Sequence, residues 1–199
     1  MTKLILTDID EVVLNWRASF EKWCLQQSDI TISPERPTLV DHHRAEEWLG
    51  TDLETTKRYI ERFHHDGWFE KLQPYAEASI YIPMLANLGY RFVAVTAIDD
   101  DPSTYDARLR NLRTHFDDLF AAVHCVGLMG SKEEVLGWYR PTYWVEDKPS
   151  NAKLGAELGH TSFLISHPNN LDYNDPQVKR VSGWKDIYNM LSGEDMVGG

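Results

Sequence analysis

A chain of 199 residues, 42% hydrophobic and 12% aromatic, has the composition of a folded domain with room for one core and a small inserted unit. Its formal charge of -11, without any basic stripe, repels a long phosphate backbone over most of the surface, so polymeric nucleic acid is not the expected partner. The apolar stretch 81–97 is broken by Pro83, Asn87, Gly89 and Arg91, short of the roughly 20 apolar residues of a membrane span. The N-terminus turns acidic at Asp8, too early for a signal-peptide core. Cys24 and Cys125 form no CxxC pair, and reduced thiols in a cytoplasmic, soluble protein are the expectation.

Lys3 to Thr7, apolar and β-branched, predicts a short buried strand ending at an acidic pair. Trp16, Phe20, Trp23 and Cys24 recur at helical spacing, predicting a helix from Asn15 to about Gln27 that the two prolines of the stretch to Pro37 break. Thr51 with Glu54 has the pattern of a capping box for a helix carrying Leu53, Tyr59, Ile60 and Phe63 and ending near Asp66 and Gly67. Residues 15–75 therefore read as a small helical cap subdomain, with 1–14 and 76–192 as the core and 193–199 as a flexible tail.

Beyond Pro74 the pattern alternates: a helix around 76–88 stopped by Gly89, then a strand from Arg91 to Thr96. A helix from Ser103 to His115 precedes a strand from Ala122 to Val126. Ser131 with Glu134 caps the next helix before a strand from Thr142 to Glu146. A helix from Ser150 and a strand from Thr161 to Ile165 follow. The segment from Ser166 to Pro176 reads as a solvated loop, and the chain beyond Leu191 as a fraying tail. This order predicts an α/β fold, a Rossmann-like parallel sheet flanked by helices with the cap inserted after the first strand. Ligands then bind beyond the carboxyl ends of the strands.

Those ends carry the candidate chemistry: Asp8 and Asp10 after the first strand, Thr96 after the second, and Glu146 with Asp147 after a later one, with Lys132 between. A carboxylate can attack phosphorus, splitting a difficult hydrolysis into two displacements, once its charge is screened by a hard divalent cation held by oxygen ligands. Asp8 and Asp147 are the natural ligands, and Lys132 and Thr96, with backbone N–H groups at Ala97, suit the equatorial phosphate oxygens. Each element alone is ordinary. A DxD sequence is common turn chemistry, Thr96 can simply end a strand, Glu146 and Asp147 suit a helix N-terminus, and Lys132 suits a solvated helix start. Their joint occurrence in order at strand ends is what points to a site. The pairs His42-His43 and His64-His65 lack the HxxxH or HExxH spacing of a zinc site, so zinc is not expected.

Leu4 to Val13, Val93 to Thr96, Lys132, and Trp144 to Asp147 together resemble the four motifs of the haloacid dehalogenase-like hydrolases, across nearly the whole chain. The resemblance implies that Asp8 is a nucleophile and Asp10 the general acid and base, with a backbone carbonyl for the metal. It further implies that Thr96 and Lys132 orient phosphate, and that Glu146 and Asp147 help Asp8 bind Mg²⁺. The 61–74 stretch through Trp68, Phe69 and Pro74 is similar to the 5'(3')-deoxyribonucleotidases, and Trp16 falls where those enzymes stack an aromatic on the base. Such stacking contributes roughly 1 to 3 kcal/mol. Phe20, Trp23, Trp48 and Phe63 fit a cap core instead. Two positions depart from that family: Glu11, where Gly usually follows the second Asp, and Ala97, where Ser usually follows the Thr. Glu11 is expected to face the cap or a substrate amine or hydroxyl.

The implied activity is Mg²⁺-dependent hydrolysis of a small phosphorylated substrate, a nucleoside monophosphate first. The alternatives are a phosphatase for another metabolite such as a sugar phosphate, a polynucleotide end-phosphatase disfavoured by the charge, and a non-catalytic binder of a phosphorylated ligand. No membrane partner is expected, and the oligomeric state is not readable from the chain.

Overall fold

A computed structural model describes residues 3–32, 44–99, 101–128 and 130–197. Six strands form one sheet in the order β3-β2-β1-β4-β5-β6. They are β1 (Lys3–Thr7), β2 (Tyr90–Ala97), β3 (Phe120–Val126), β4 (Tyr143–Glu146), β5 (Thr161–Ile165) and β6 (Val178–Val181), and every pairing is parallel. A parallel sheet needs helical crossovers, and the apolar runs of its central strands need cover on both faces. Helices α4 (Ala76–Asn87), α5 (Pro102–Phe116), α6 (Glu133–Gly137), α7 (Pro149–Glu157) and α8 (Trp184–Val197) supply it. Ile5, Phe92, Ala94, Val145, Trp184, Ile187 and Leu191 belong to one buried cluster, and Leu6, Val95, Leu136 and Trp144 to another.

Strand β1 lies between β2 and β4, with Leu6 level with Val93 on one side and Trp144 on the other. The chain leaves β1 toward β2 and later returns on the opposite side to β4, so the crevice of this sheet opens at the carboxyl end of β1. Asp8 is the first residue beyond that end.

Between β1 and α4 run α1 (Trp16–Cys24), α2 (Ala45–Leu49), α3 (Leu53–His65) and a short 3-10 turn, Phe69–Lys71. Trp16 stacks on Phe20 at 4.6 Å, and Phe63 meets both Phe20 and Trp23 edge-on. The aromatic periodicity of α1 thus packs a small core. Asp66 closes α3 and also accepts the Trp23 indole N–H at 2.7 Å. The two segments joining this insertion to the sheet lie side by side, with Asn15 N–H on the Gln73 carbonyl and Tyr75 N–H on that of Val13, both at 2.9 Å.

Three local expectations change. The side chain capping α3 is Asp52, which accepts the Thr55 N–H at 2.7 Å, while the Thr51 hydroxyl pairs with that of Thr56. The 166–176 segment is not wholly solvated, because it contains a 3-10 turn, Pro168–Asn170, in which Asn170 is buried. Beyond it come β6 and α8, and α8 runs through the stretch expected to fray. No helix among the described residues is long and apolar enough to cross a membrane.

Candidate active site

The Asp8 N–H donates to the Val145 carbonyl at 2.9 Å, which continues the β1–β4 ladder one residue past the strand. Its Oδ1 accepts the Ile9 N–H at 2.7 Å and its Oδ2 lies 2.9 Å from Lys132 Nζ. One carboxylate oxygen is thus held by backbone and the other by a cation. Lys132, at the start of α6, is buried over the Trp144 ring and lies 3.4 Å from Glu146 Oε1. Burial favours its neutral form, but Asp8 and Glu146 outweigh that effect and raise its pKa, so it remains an ammonium.

Glu146 ends β4 and Asp147 follows it, both buried. Asn151 on α7 donates to Glu146 Oε1 at 2.5 Å, and Asn170 donates to the Asp147 main-chain carbonyl at 2.7 Å. Desolvation, then the charge of Asp8, pushes the pKa of each far above the usual carboxylate range. Asp8, Glu146 and Asp147 bring one oxygen each to within 4.8 Å of one another. Crowded, all-oxygen, partly unneutralised acid is a donor set that suits a hard divalent cation such as Mg²⁺. Among the described residues it is the one such cluster of His, Cys, Asp or Glu.

Asp10, two residues beyond Asp8, shares a cavity with it. Both its oxygens accept from Nη2 of Arg108 on α5, at 2.7 and 2.6 Å. Burial raises the Asp10 pKa, Arg108 opposes the rise, and the net direction is upward. Thr96, at the end of β2, is fully buried and its hydroxyl makes no hydrogen bond to another described residue.

A cavity of about 390 Å³ opens above these groups, within the roughly 300–1,000 Å³ of small-molecule sites. Asp8, Asp10, Ala97 and Lys132 are on its floor, and Trp16, Leu53, Thr56, Lys57, Ile60 and Glu46 are contributed by the inserted helices. His64 also lines it, and its Nδ1 is 2.6 Å from Asp99 Oδ2, which ties α3 to the loop after β2. Desolvation lowers the His64 pKa despite its bond to Asp99, and because a carboxylate only accepts, it is Nδ1 that carries the proton in this contact. His65 meets Ser103 instead, and His42 and His43 lie outside the described residues.

The structure therefore gathers Asp8, Asp10, Ala97, Lys132 and Trp16 around one cavity, with Thr96, Glu146 and Asp147 buried beside it. Three expected substrate contacts lie elsewhere. Glu11 turns away from the cavity, with Oε1 accepting the Arg17 N–H at 2.8 Å and Oε2 the Tyr75 hydroxyl at 2.7 Å. Trp68 lies under Lys22 instead of lining the cavity, and Phe69 is buried beneath Arg108, its ring centroid 4.3 Å from the guanidinium carbon. Arg108, Asn151 and Asn170 were not legible as site residues. Nothing in the spacing of an Arg within a helix, or of an Asn within a polar loop, marks it as a partner of a distant carboxylate.

No family model matches the chain. Over 199 residues it is 26% identical to an uncharacterized 32.4 kDa protein of enterobacteria phage T4, spanning 96% of this chain and 70% of the phage protein. Among solved structures, a predicted phosphatase from Clostridium acetobutylicum superposes with a TM-score of 0.63 at 13% identity, covering 97% of this chain and 99% of the other. A haloacid dehalogenase-like family hydrolase from Deinococcus radiodurans with bound phosphate and sodium gives 0.61 at 13%, covering 96% and 95%. The L-2-haloacid dehalogenase from Xanthobacter autotrophicus with covalently bound chloropropionic acid gives 0.61 at 14%, covering 97% and 99%. The chain has the haloacid dehalogenase-like fold.

Proposed function

We propose that this protein is a magnesium-dependent phosphomonoester hydrolase that works through an aspartyl-phosphate on Asp8. The observation that carries this reading is the grouping of Asp8, Lys132, Glu146 and Asp147 where the carboxyl ends of β1 and β4 meet the start of α6, with a second carboxylate, Asp10, on the same cavity. Asp8, Glu146 and Asp147 would hold Mg²⁺, with the Asp10 carbonyl as a further donor. The ion supplies charge neutralisation for the phosphate and its attacking carboxylate.

The chain's own groups account for the rest. Lys132 fixes one Asp8 oxygen and presents positive charge where phosphate oxygens must sit. An Asp8 oxygen attacks phosphorus, the P–O ester bond breaks, and the leaving oxygen takes the Asp10 proton to become an alcohol. Water then attacks the aspartyl-phosphate while Asp10 takes its proton, and cleavage of the bond to Asp8 releases inorganic phosphate. Burial raises the Asp10 pKa against the opposing charge of Arg108, the direction that favours a carboxyl able to give up a proton and take one back. The dehalogenases sharing this fold expel halide, which needs no proton, so a second carboxylate beside the nucleophile favours the phosphate ester.

For the substrate we favour a nucleoside monophosphate. Trp16 lines the cavity, and with Leu53 and Ile60 it provides an apolar wall suited to a flat base. Glu46, Thr56 and Lys57 on the same wall suit sugar hydroxyls, which supports the second reading, a sugar phosphate. Phosphate release with and without Mg²⁺ should be measured over nucleoside 5'- and 3'-monophosphates, sugar phosphates and p-nitrophenyl phosphate, with 2-chloropropionate as the dehalogenation control. The expected result is Mg²⁺-dependent phosphate release, fastest with a nucleotide. Halide release, or phosphorylated-ligand binding without turnover of any ester, would overturn the reading.

A further inference from the structure

We infer that Arg108 is the positioning residue for Asp10, and that Phe69 couples this positioning to the seating of the inserted helices. The inference rests on the phosphatase reading for its kinetic consequences but on geometry for its substance. Arg108 is fully buried and comes from α5, on the opposite side of β2 from the metal-type cluster. One of its nitrogens, Nη2, reaches both Asp10 oxygens, while Nε and Nη1 make no hydrogen bond to another described residue.

That is a costly arrangement if its only purpose is stability. A guanidinium carries five N–H donors, and leaving buried donors unsatisfied forfeits their hydration without return. An apolar side chain of similar volume would pack the same space without that penalty. What the guanidinium provides and an apolar group cannot is a fixed plane for the Asp10 carboxylate. Two bonds to one nitrogen hold both oxygens, and the carboxylate faces the cavity in which a leaving oxygen and a water must successively lie within hydrogen-bond reach.

The guanidinium is itself held by the insertion. Phe69 covers its face, and the turn bearing Phe69 is bound through its main-chain carbonyls to side chains of α5. Asn111 Nδ2 donates to the carbonyls of Glu70 and Leu72 at 2.8 and 2.9 Å, and His115 Nε2 lies 3.0 Å from that of Leu72. A shift of this turn would uncover Arg108 and loosen Asp10, so a displacement in the insertion is transmitted to the acid/base group through a single side chain.

The test compares wild type with Arg108→Gln, Arg108→Lys and Phe69→Leu, using an alkyl phosphate and p-nitrophenyl phosphate under burst conditions. For Arg108→Gln on the alkyl phosphate, kcat should fall about 100-fold or more, the loss seen on misplacing a catalytic group, with KM little changed, whereas on p-nitrophenyl phosphate the slower hydrolysis of the phospho-enzyme lowers kcat and KM together. p-Nitrophenolate leaves without a proton, so a stoichiometric burst should persist while steady-state turnover collapses. Arg108→Lys should recover part of kcat, and Phe69→Leu should lower kcat about 10-fold with Arg108 intact. Equal loss of burst and steady state, or a rise in KM with kcat preserved, would overturn the inference. Crystal structures of wild type and Arg108→Gln decide it independently of activity: the Asp10 carboxylate should move by about 1 Å or split between rotamers, and an unmoved carboxylate overturns the inference. If Arg108→Gln does not fold, Phe69→Leu carries the same structural comparison. If wild type hydrolyses no ester in the panel, the phosphatase reading fails while these structures still settle the positioning.

Discussion

Glu11 stands in the left-handed backbone region at φ 61°, where an ordinary side chain costs roughly 1–2 kcal/mol and glycine costs little. Its side chain offsets that cost. The carboxylate accepts from the Arg17 N–H and the Tyr75 hydroxyl, and its carbonyl accepts from His167 Nε2 at 2.7 Å. Arg17 begins the insertion and Tyr75 follows it, so one buried acid pins both connecting segments to the core. This explains the departure from glycine without any substrate contact; of the two orientations expected from the sequence, the one toward the inserted helices holds, while the partners themselves were not legible because they come from positions 6 and 64 residues away. Glu11→Ala should lose about 1–3 kcal/mol of unfolding free energy in urea, the cost of stranding buried polar groups. Glu11→Gly should lose about 1 kcal/mol less, because it relieves the backbone. KM for phosphate esters should stay unchanged in both; a several-fold rise would return Glu11 to the substrate.

At the scale of elements, the strand ends and the helix that follows each set the chemistry. Helix α7 approaches β4 closely enough that a Cβ on Gly155 would lie 2.2 Å from Trp144 Cδ1, inside contact distance. Trp144 is the residue beneath Lys132, so the packing of α7 on β4 reaches the site through one ring. Gly155→Ala should destabilise the fold by about 1–3 kcal/mol, the usual cost of overpacking, and this is measurable as a lowered urea midpoint with an unchanged slope. An unaffected midpoint would show that Trp144 is free to move. The strands bearing Asp8, Thr96 and Glu146 were legible because short apolar runs end abruptly at polar residues. Strand β6 was not, since Val178–Val181 is four residues with two exposed basic side chains, and its pairing with β5 is decided by the sheet edge. Helix α8 carried a usable signal in Trp184, Ile187 and Leu191, spaced to share one face, and all three are buried.

For the molecule as a whole, the scaffold and the convergence of the candidate residues were legible together, because the motif residues come from separate strands and the parallel order brings them to one edge. The cavity's outer wall was less so. Trp16 reaches the cavity while packing on Phe20, whereas Trp68 lies under Lys22 within the insertion and Phe69 serves the seam between insertion and core, a division set by tertiary packing and invisible to helical periodicity. On a chain of net charge -11, the phosphorylated substrate proposed above would draw local positive charge from Lys132, Lys57 and the cation that Asp8, Glu146 and Asp147 would hold. The proposed mechanism depends on an Asp8 carboxylate oxygen attacking phosphorus. The direct measurement is acid quench of the protein during turnover of a phosphate ester with Mg²⁺, followed by peptide mass spectrometry. The account predicts one phosphoryl group on the peptide containing Asp8, and none on the Asp8→Asn variant, which should fold normally and release no phosphate. Undiminished turnover by that variant, or a phosphoryl group carried on any other residue, would contradict it.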